Sequence, residues 1–180
     1  MLAKVYSASV QGLDAQQVTI EVNSSRGIRF VLVGLPDNAV KESHERITAA
    51  LENSGFPFPS RQITVNLAPA SHKKAGTHYD LPILLSILCA AGSVRRPRST
   101  SAFLGEVSLD GQLRAVSGVL PMAIAAKEAG IQALFVPYEN APEATLADGP
   151  VVYGIRTLKE LAEGLNGERE LEPAPVWIPE

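Results

Sequence analysis

Arg61-Gln-Ile-Thr-Val-Asn-Leu67 alternates polar and apolar residues, and Ala68-Pro-Ala-Ser-His-Lys-Lys-Ala-Gly-Thr-His-Tyr79 follows it without any periodicity. Asp80-Leu-Pro-Ile83 then opens an apolar run that lasts to Gly92. Ile63, Val65 and Leu67 against Gln62, Thr64 and Asn66 predict a half-buried strand. The run after it is apolar on every side, which predicts a buried helix. Asp80 is expected to cap that helix, with Pro82 in the first turn, where a missing N–H costs nothing. A strand, a polar loop and a buried helix in that order set the central layer of the fold.

Upstream, residues 3–10, 17–23 and 28–33 read as three strands, joined by turns at Gln11-Gly-Leu-Asp14 and Ser24-Ser-Arg-Gly27. They predict a β-meander. A helix is expected from Asp37 or Asn38, either of which serves as cap, to about Asn53. Val40, His44, Ile47 and Leu51 fall on one face of it, and Glu42–Arg46 is a favourable i,i+4 pair. His44 on that face reads as a core-border residue.

Downstream, Ser93 to Ser101 is a basic loop, 102–109 a strand, Asp110-Gly111 a hairpin turn and 113–116 the returning strand. Helices are expected at 121–129, 142–146 and from the cap Thr157 to about Gly164, with strands at 133–136 and 151–154. From Asn166 the chain turns acidic and Pro-containing, which predicts a linker or tail over 166–180 after a domain of residues 1–165. Strands first and mixed alternation later predict an α+β layer fold with a mixed sheet packed by helices.

The 180 residues are enough for a hydrophobic core, and 46% apolar against 19% charged residues exclude a disordered chain. No apolar run reaches the roughly 18 residues that a membrane span needs. No signal-peptide pattern opens the sequence, so a cytoplasmic location is expected, with no membrane partner. Cys89 is the only cysteine, which rules out an internal disulfide, and its apolar surroundings predict an inert buried thiol. Residues 1–116 hold 12 basic and 9 acidic side chains, whereas 117–180 hold 4 and 10. Only the first part is suited to facing a polyanion.

The common chemical signatures are absent from the sequence. It has no Gly-x-x-x-x-Gly-Lys-Ser/Thr phosphate loop, no Gly-x-Gly-x-x-Gly fingerprint, no His-Glu-x-x-His helix and no Gly-x-Ser-x-Gly elbow.

Four segments in order carry a resemblance: Val31-Leu-Val-Gly-Leu-Pro36 with Val40-Lys-Glu42; Ile63-Thr-Val-Asn-Leu-Ala-Pro69; Tyr79-Asp-Leu-Pro-Ile83; and Phe103-Leu-Gly-Glu106 with Gly111-Gln-Leu-Arg114. Together they resemble the N-terminal domain of the ComM/YifB family of magnesium-chelatase-related AAA+ ATPases. The resemblance implies a ribosomal-protein-S5-domain-2-like fold, similar to the Lon proteolytic domain. It implies no cofactor in this segment, with ATP and magnesium bound by a following AAA+ module. The implied partners are that module, the neighbours in a hexameric ring, and DNA handled during natural transformation by a helicase-like or branch-migration motor. Residues 166–180 would then lead toward the module, and the chain would be part of a longer protein. Set against the Lon pattern, the serine position of the Gly-Pro-Ser-Ala-Gly loop holds His78, and the lysine position falls on Pro121. A Ser–Lys couple needs a hydroxyl and an amine, and neither residue supplies one.

Candidate contacts with nucleic acid or a partner are Lys73, Lys74, His78 and Tyr79 in one loop and Arg95, Arg96 and Arg98 in another. The plainer reading of the first loop is a solvated surface with Tyr79 packed inward. That of the second is a flexible loop kept soluble by charge. Asp80 can also be read as an acid–base partner of His78, although capping accounts for it better. Two further functions stand beside the accessory-domain reading. One is a nucleic-acid-binding module that works alone, and the other is an active Lon-type peptidase.

Overall fold

The computed structural model describes residues 1–11 and 14–178, so the expected turn at Gly12-Leu13 lies outside the described residues. Strands β1 (Leu2–Gln11) and β2 (Asp14–Ser25) form a long antiparallel pair in which Val5 faces Ile20. β3 (Phe30–Val33) does not pair with β2, so the expected meander is wrong at its third strand. α1 (Asn38–Lys41) and α2 (Ser43–Asn53) carry the chain over to β4 (Gln62–Ala68). β4 inserts between the two, antiparallel to β2 and parallel to β3. A helical crossover is what permits parallel neighbours, and the turn-like composition of 24–27 does not disclose it.

The expected helix over 38–53 is interrupted at Glu42. In an unbroken helix Ser43 N–H would donate to the Ala39 carbonyl. Here Arg46 Nη2 donates to that carbonyl at 2.8 Å. Asp37 is the cap, its Oδ1 accepting from Val40 N at 2.8 Å. Val40, Ile47 and Leu51 are buried as their spacing predicts, and half-buried His44 stacks on Phe30 with ring centroids 4.2 Å apart.

α3 (Asp80–Ala90) is buried along its whole length. Asp80 is its first helical residue and does not cap it. The expected strand over 102–109 is two pieces, β5 (Ser101–Phe103) and β6 (Glu106–Val107). Between them Gly105 N donates to His78 O and Gly105 O accepts from Leu81 N, both at 3.0 Å, which diverts the chain out of the sheet. β6 forms a separate ribbon with β7 (Leu113–Arg114). Then follow α4 (Val119–Glu128), β8 (Ala133–Pro137), α5 (Ala141–Thr145), β9 (Val151–Ile155) and α6 (Leu158–Leu165). Thr157 caps α6 as expected, accepting from Glu160 N at 3.1 Å.

The main sheet has seven strands in the order β3-β4-β2-β1-β5-β8-β9, mostly parallel. One core cluster joins β1, β2 and β4 to α2, α3 and α6. The second joins Ala8, Ala102 and Leu134 to Val119, Met122 and Ala123 of α4 on the other face. The tail lies back on the domain. Leu171 packs on the first cluster, Ala174 N donates to Val152 O at 2.7 Å, and Trp177 N donates to Thr145 Oγ1 at 3.1 Å. No helix among the described residues is long and apolar enough to cross a membrane.

Candidate functional site

Two loops meet beside the start of α3: residues 34–37 after β3 and residues 69–79 before α3. Gly34 adopts φ 106°, and a Cβ there would lie 2.2 Å from Leu67 O, so only glycine fits. The next residue, Leu35, holds φ 57°, an uncommon state for a side chain of its size. Lys74 clamps this turn. Its N–H donates to Leu35 O and its carbonyl accepts from Asp37 N, both at 2.8 Å.

The Lys74 side chain is 1% exposed. Its ammonium donates to Gly34 O at 2.9 Å, to His72 O at 2.5 Å and to Pro69 O. An ammonium has three N–H donors, and these three carbonyls take them. Burial lowers its pKa from the ordinary lysine value. The expectation that Lys74 meets phosphates is therefore corrected: its charge is spent inside the fold, on carbonyls rather than on a hydroxyl. Lys73, its neighbour, is exposed.

His78 and Tyr79 are buried as well, with rings 4.0 Å apart. His78 Nε2 donates to Ala8 O at 2.9 Å, reaching across to β1. Burial pushes the imidazole down to about 4, so the ring is neutral at physiological pH. Burial also pushes the Tyr79 phenol well above its usual range. Neither ring is presented to solvent for stacking on a base, which corrects the second half of that expectation. Tyr79 does pack inward, as the plainer reading has it.

Asp80 pairs with neither His78 nor its own helix N-terminus. Arg46 grips it with two bonds, Nε to Oδ2 at 2.7 Å and Nη2 to Oδ1 at 2.9 Å, and Val107 N donates to Oδ2 at 3.2 Å. Burial raises the carboxyl, and the guanidinium works against that rise. The bond to Asp80 raises Arg46 in turn. This ion pair joins α2, α3 and β6. Sequence reasoning assigned Arg46 to Glu42, which sits 3.7 Å away on the exposed side. A buried acid at the start of an all-apolar helix was the signal that a cation must come from elsewhere.

Pro121 is exposed in the first turn of α4, behind Gly118 at φ 77°. Arg95, Arg96 and Arg98 are exposed on a loop that is well anchored. Asn166 accepts from Arg95 N at 2.9 Å and donates to Ser93 O at 3.0 Å. Buried Val94 pins the loop from below, and Ser101 N donates to Arg98 O at 3.0 Å. Burial pushes the Cys89 thiol up to about 11, consistent with an inert side chain.

Residues 20–140 match the family model described as subunit ChlI of magnesium chelatase. The competence protein ComM of Haemophilus influenzae is 41% identical over 181 aligned positions, 99% of this chain and 35% of that protein. The YifB protein of Escherichia coli is 34% identical, over 97% of this chain and 35% of its own length. Lon protease 2 of Bacillus subtilis is 33% identical over 140 residues, 77% of this chain and 25% of that protein. The chain thus spans about a third of the length of its ComM and YifB relatives.

Proposed function

Because the chain belongs to the magnesium-chelatase ChlI family and is similar to ComM and YifB over nearly its whole length, we propose that it is an accessory assembly domain of a magnesium-chelatase-like AAA+ ATPase, without peptidase activity of its own. The observation that carries this reading is His78. It stands where the Lon pattern has its serine, is buried and neutral, and is committed to Ala8 O. A Ser–Lys mechanism requires a hydroxyl beside an amine of lowered pKa. Lys74 is the lowered amine of this loop, yet its donors end on three carbonyls.

In this reading the longer protein is a cytoplasmic hexameric ring that moves DNA, of the branch-migration or helicase type, during natural transformation. ATP and magnesium belong to the rest of that protein. Residues of this chain do not fit them: the sequence holds no phosphate loop, and the described residues hold no group of three or more His, Cys, Asp or Glu able to take a metal.

The test is incubation of the purified chain with casein and a panel of fluorogenic peptides, beside an active Lon protease. No cleavage above the blank is expected. Cleavage that survives further purification and is abolished by His78→Ala or Lys74→Met would overturn the reading.

A further inference from the structure

The loop of residues 95–99 forms one wall of a groove of about 260 Å³ whose other wall is the start of β1. Lys4, Tyr6, Arg96 and Pro97 line it. Lys4 and Tyr6 are two residues apart on a strand, so their side chains leave the same face of the sheet. Lys4 and Arg96 are exposed, and neither enters an ion pair among the described residues. Glu21, opposite Lys4 on β2, accepts from Asn66 Nδ2 at 3.1 Å. Tyr6 is half-buried, its inner part packed on the second core cluster. Arg95 differs, since its guanidinium leans toward Gly167 beside the tail.

We propose that this groove binds a single-stranded nucleic acid, with Lys4 and Arg96 on successive phosphates and a base against Tyr6. Two unpaired cations flanking an aromatic ring are the elements of a sequence-tolerant single-strand site. A duplex keeps its bases stacked inside and offers Tyr6 nothing to stack on, and the Asp and Glu side chains of an acidic peptide carry no ring for it. The anchoring of the loop by Asn166 means that little ordering entropy is lost on binding. The inference deepens the DNA-handling reading above. Its failure would leave the non-peptidase assembly role standing, whereas cleaved casein would leave the binding isotherm untouched.

The experiment is fluorescence anisotropy of the 180-residue chain with a fluorescein-labelled oligothymidylate, repeated over a series of NaCl concentrations. Binding is expected to weaken with salt, with a slope of about 0.7 per phosphate contacted. The double variant Lys4→Ala/Arg96→Ala is expected to bind about tenfold more weakly with a shallower slope. Tyr6→Leu, which keeps an apolar group against the core, is expected to lose affinity several-fold, and Tyr6→Phe to retain it. Thermal melts of each variant separate lost binding from lost folding, and Arg96→Ala alone touches only an exposed side chain. No binding at low salt, equal binding by the double variant, or preference for a duplex or for polyglutamate would each overturn the proposal.

Discussion

At the scale of single residues, His78 and Lys74 are ionisable groups that tie loops and strands together. His78 is held at about 4 in the fold against 6.5 for a free imidazole. A depressed pKa means that the unfolded chain takes up a proton before the folded one does. Stability is therefore full above pH 6.5, falls as pH drops from there toward 4, and loses nothing further to this residue below that. The total is about 3 kcal/mol, the size of such a shift for a buried group. His78→Gln keeps a donor for Ala8 O and cannot titrate. Urea unfolding across this range is expected to fall more steeply for the wild type than for the variant. Parallel profiles would show that the ring is not the titrating group.

At the scale of elements, the Arg46–Asp80 pair organises the packing of α2, α3 and β6. Its Asp80 end is fully buried, so removing Arg46 strands a charge. Arg46→Ala and Asp80→Ala are each expected to cost about 3–5 kcal/mol in urea unfolding, the usual penalty for breaking a buried pair from one side. The double variant is expected to cost clearly less than the sum, because the second removal relieves the first. Additive losses would mean that the two side chains are not coupled. Arg46 also donates to Ala39 O, at the break between α1 and α2.

At the scale of the whole molecule, the tail is part of the domain surface. Leu171 packs over Gly164, where even a Cβ would come within 2.4 Å of it. Ala174 and Trp177 then hold the tail to β9 and α5. Trp177 is the only tryptophan, at 47% exposure, so its fluorescence reports docking of the tail. Leu171→Ser is expected to shift the emission to the red and to lower stability by about 1–2 kcal/mol, the worth of one partly buried apolar side chain. Unchanged emission would mean that the tail stays docked without Leu171.

Much of this molecule was legible in the order of its residues. Alternation marked β4 residue by residue, unbroken apolarity marked α3 as the buried helix, and Thr157 and the Asp37-Asn38 pair announced the starts of α6 and α1. The four family segments pointed to the fold. Those are local properties, set by spacing and by the hydrogen bonds of a helix end, and the chain carries them wherever it packs. Strand order, the break at Gly105, the partner of Asp80 and the burial of Lys74 were decided only in three dimensions. Each depends on groups far apart in the sequence, or on which carbonyls surround an ammonium once the loops close, and no local pattern encodes that distance. A lysine in a polar loop reads as solvated until the fold supplies three acceptors for it.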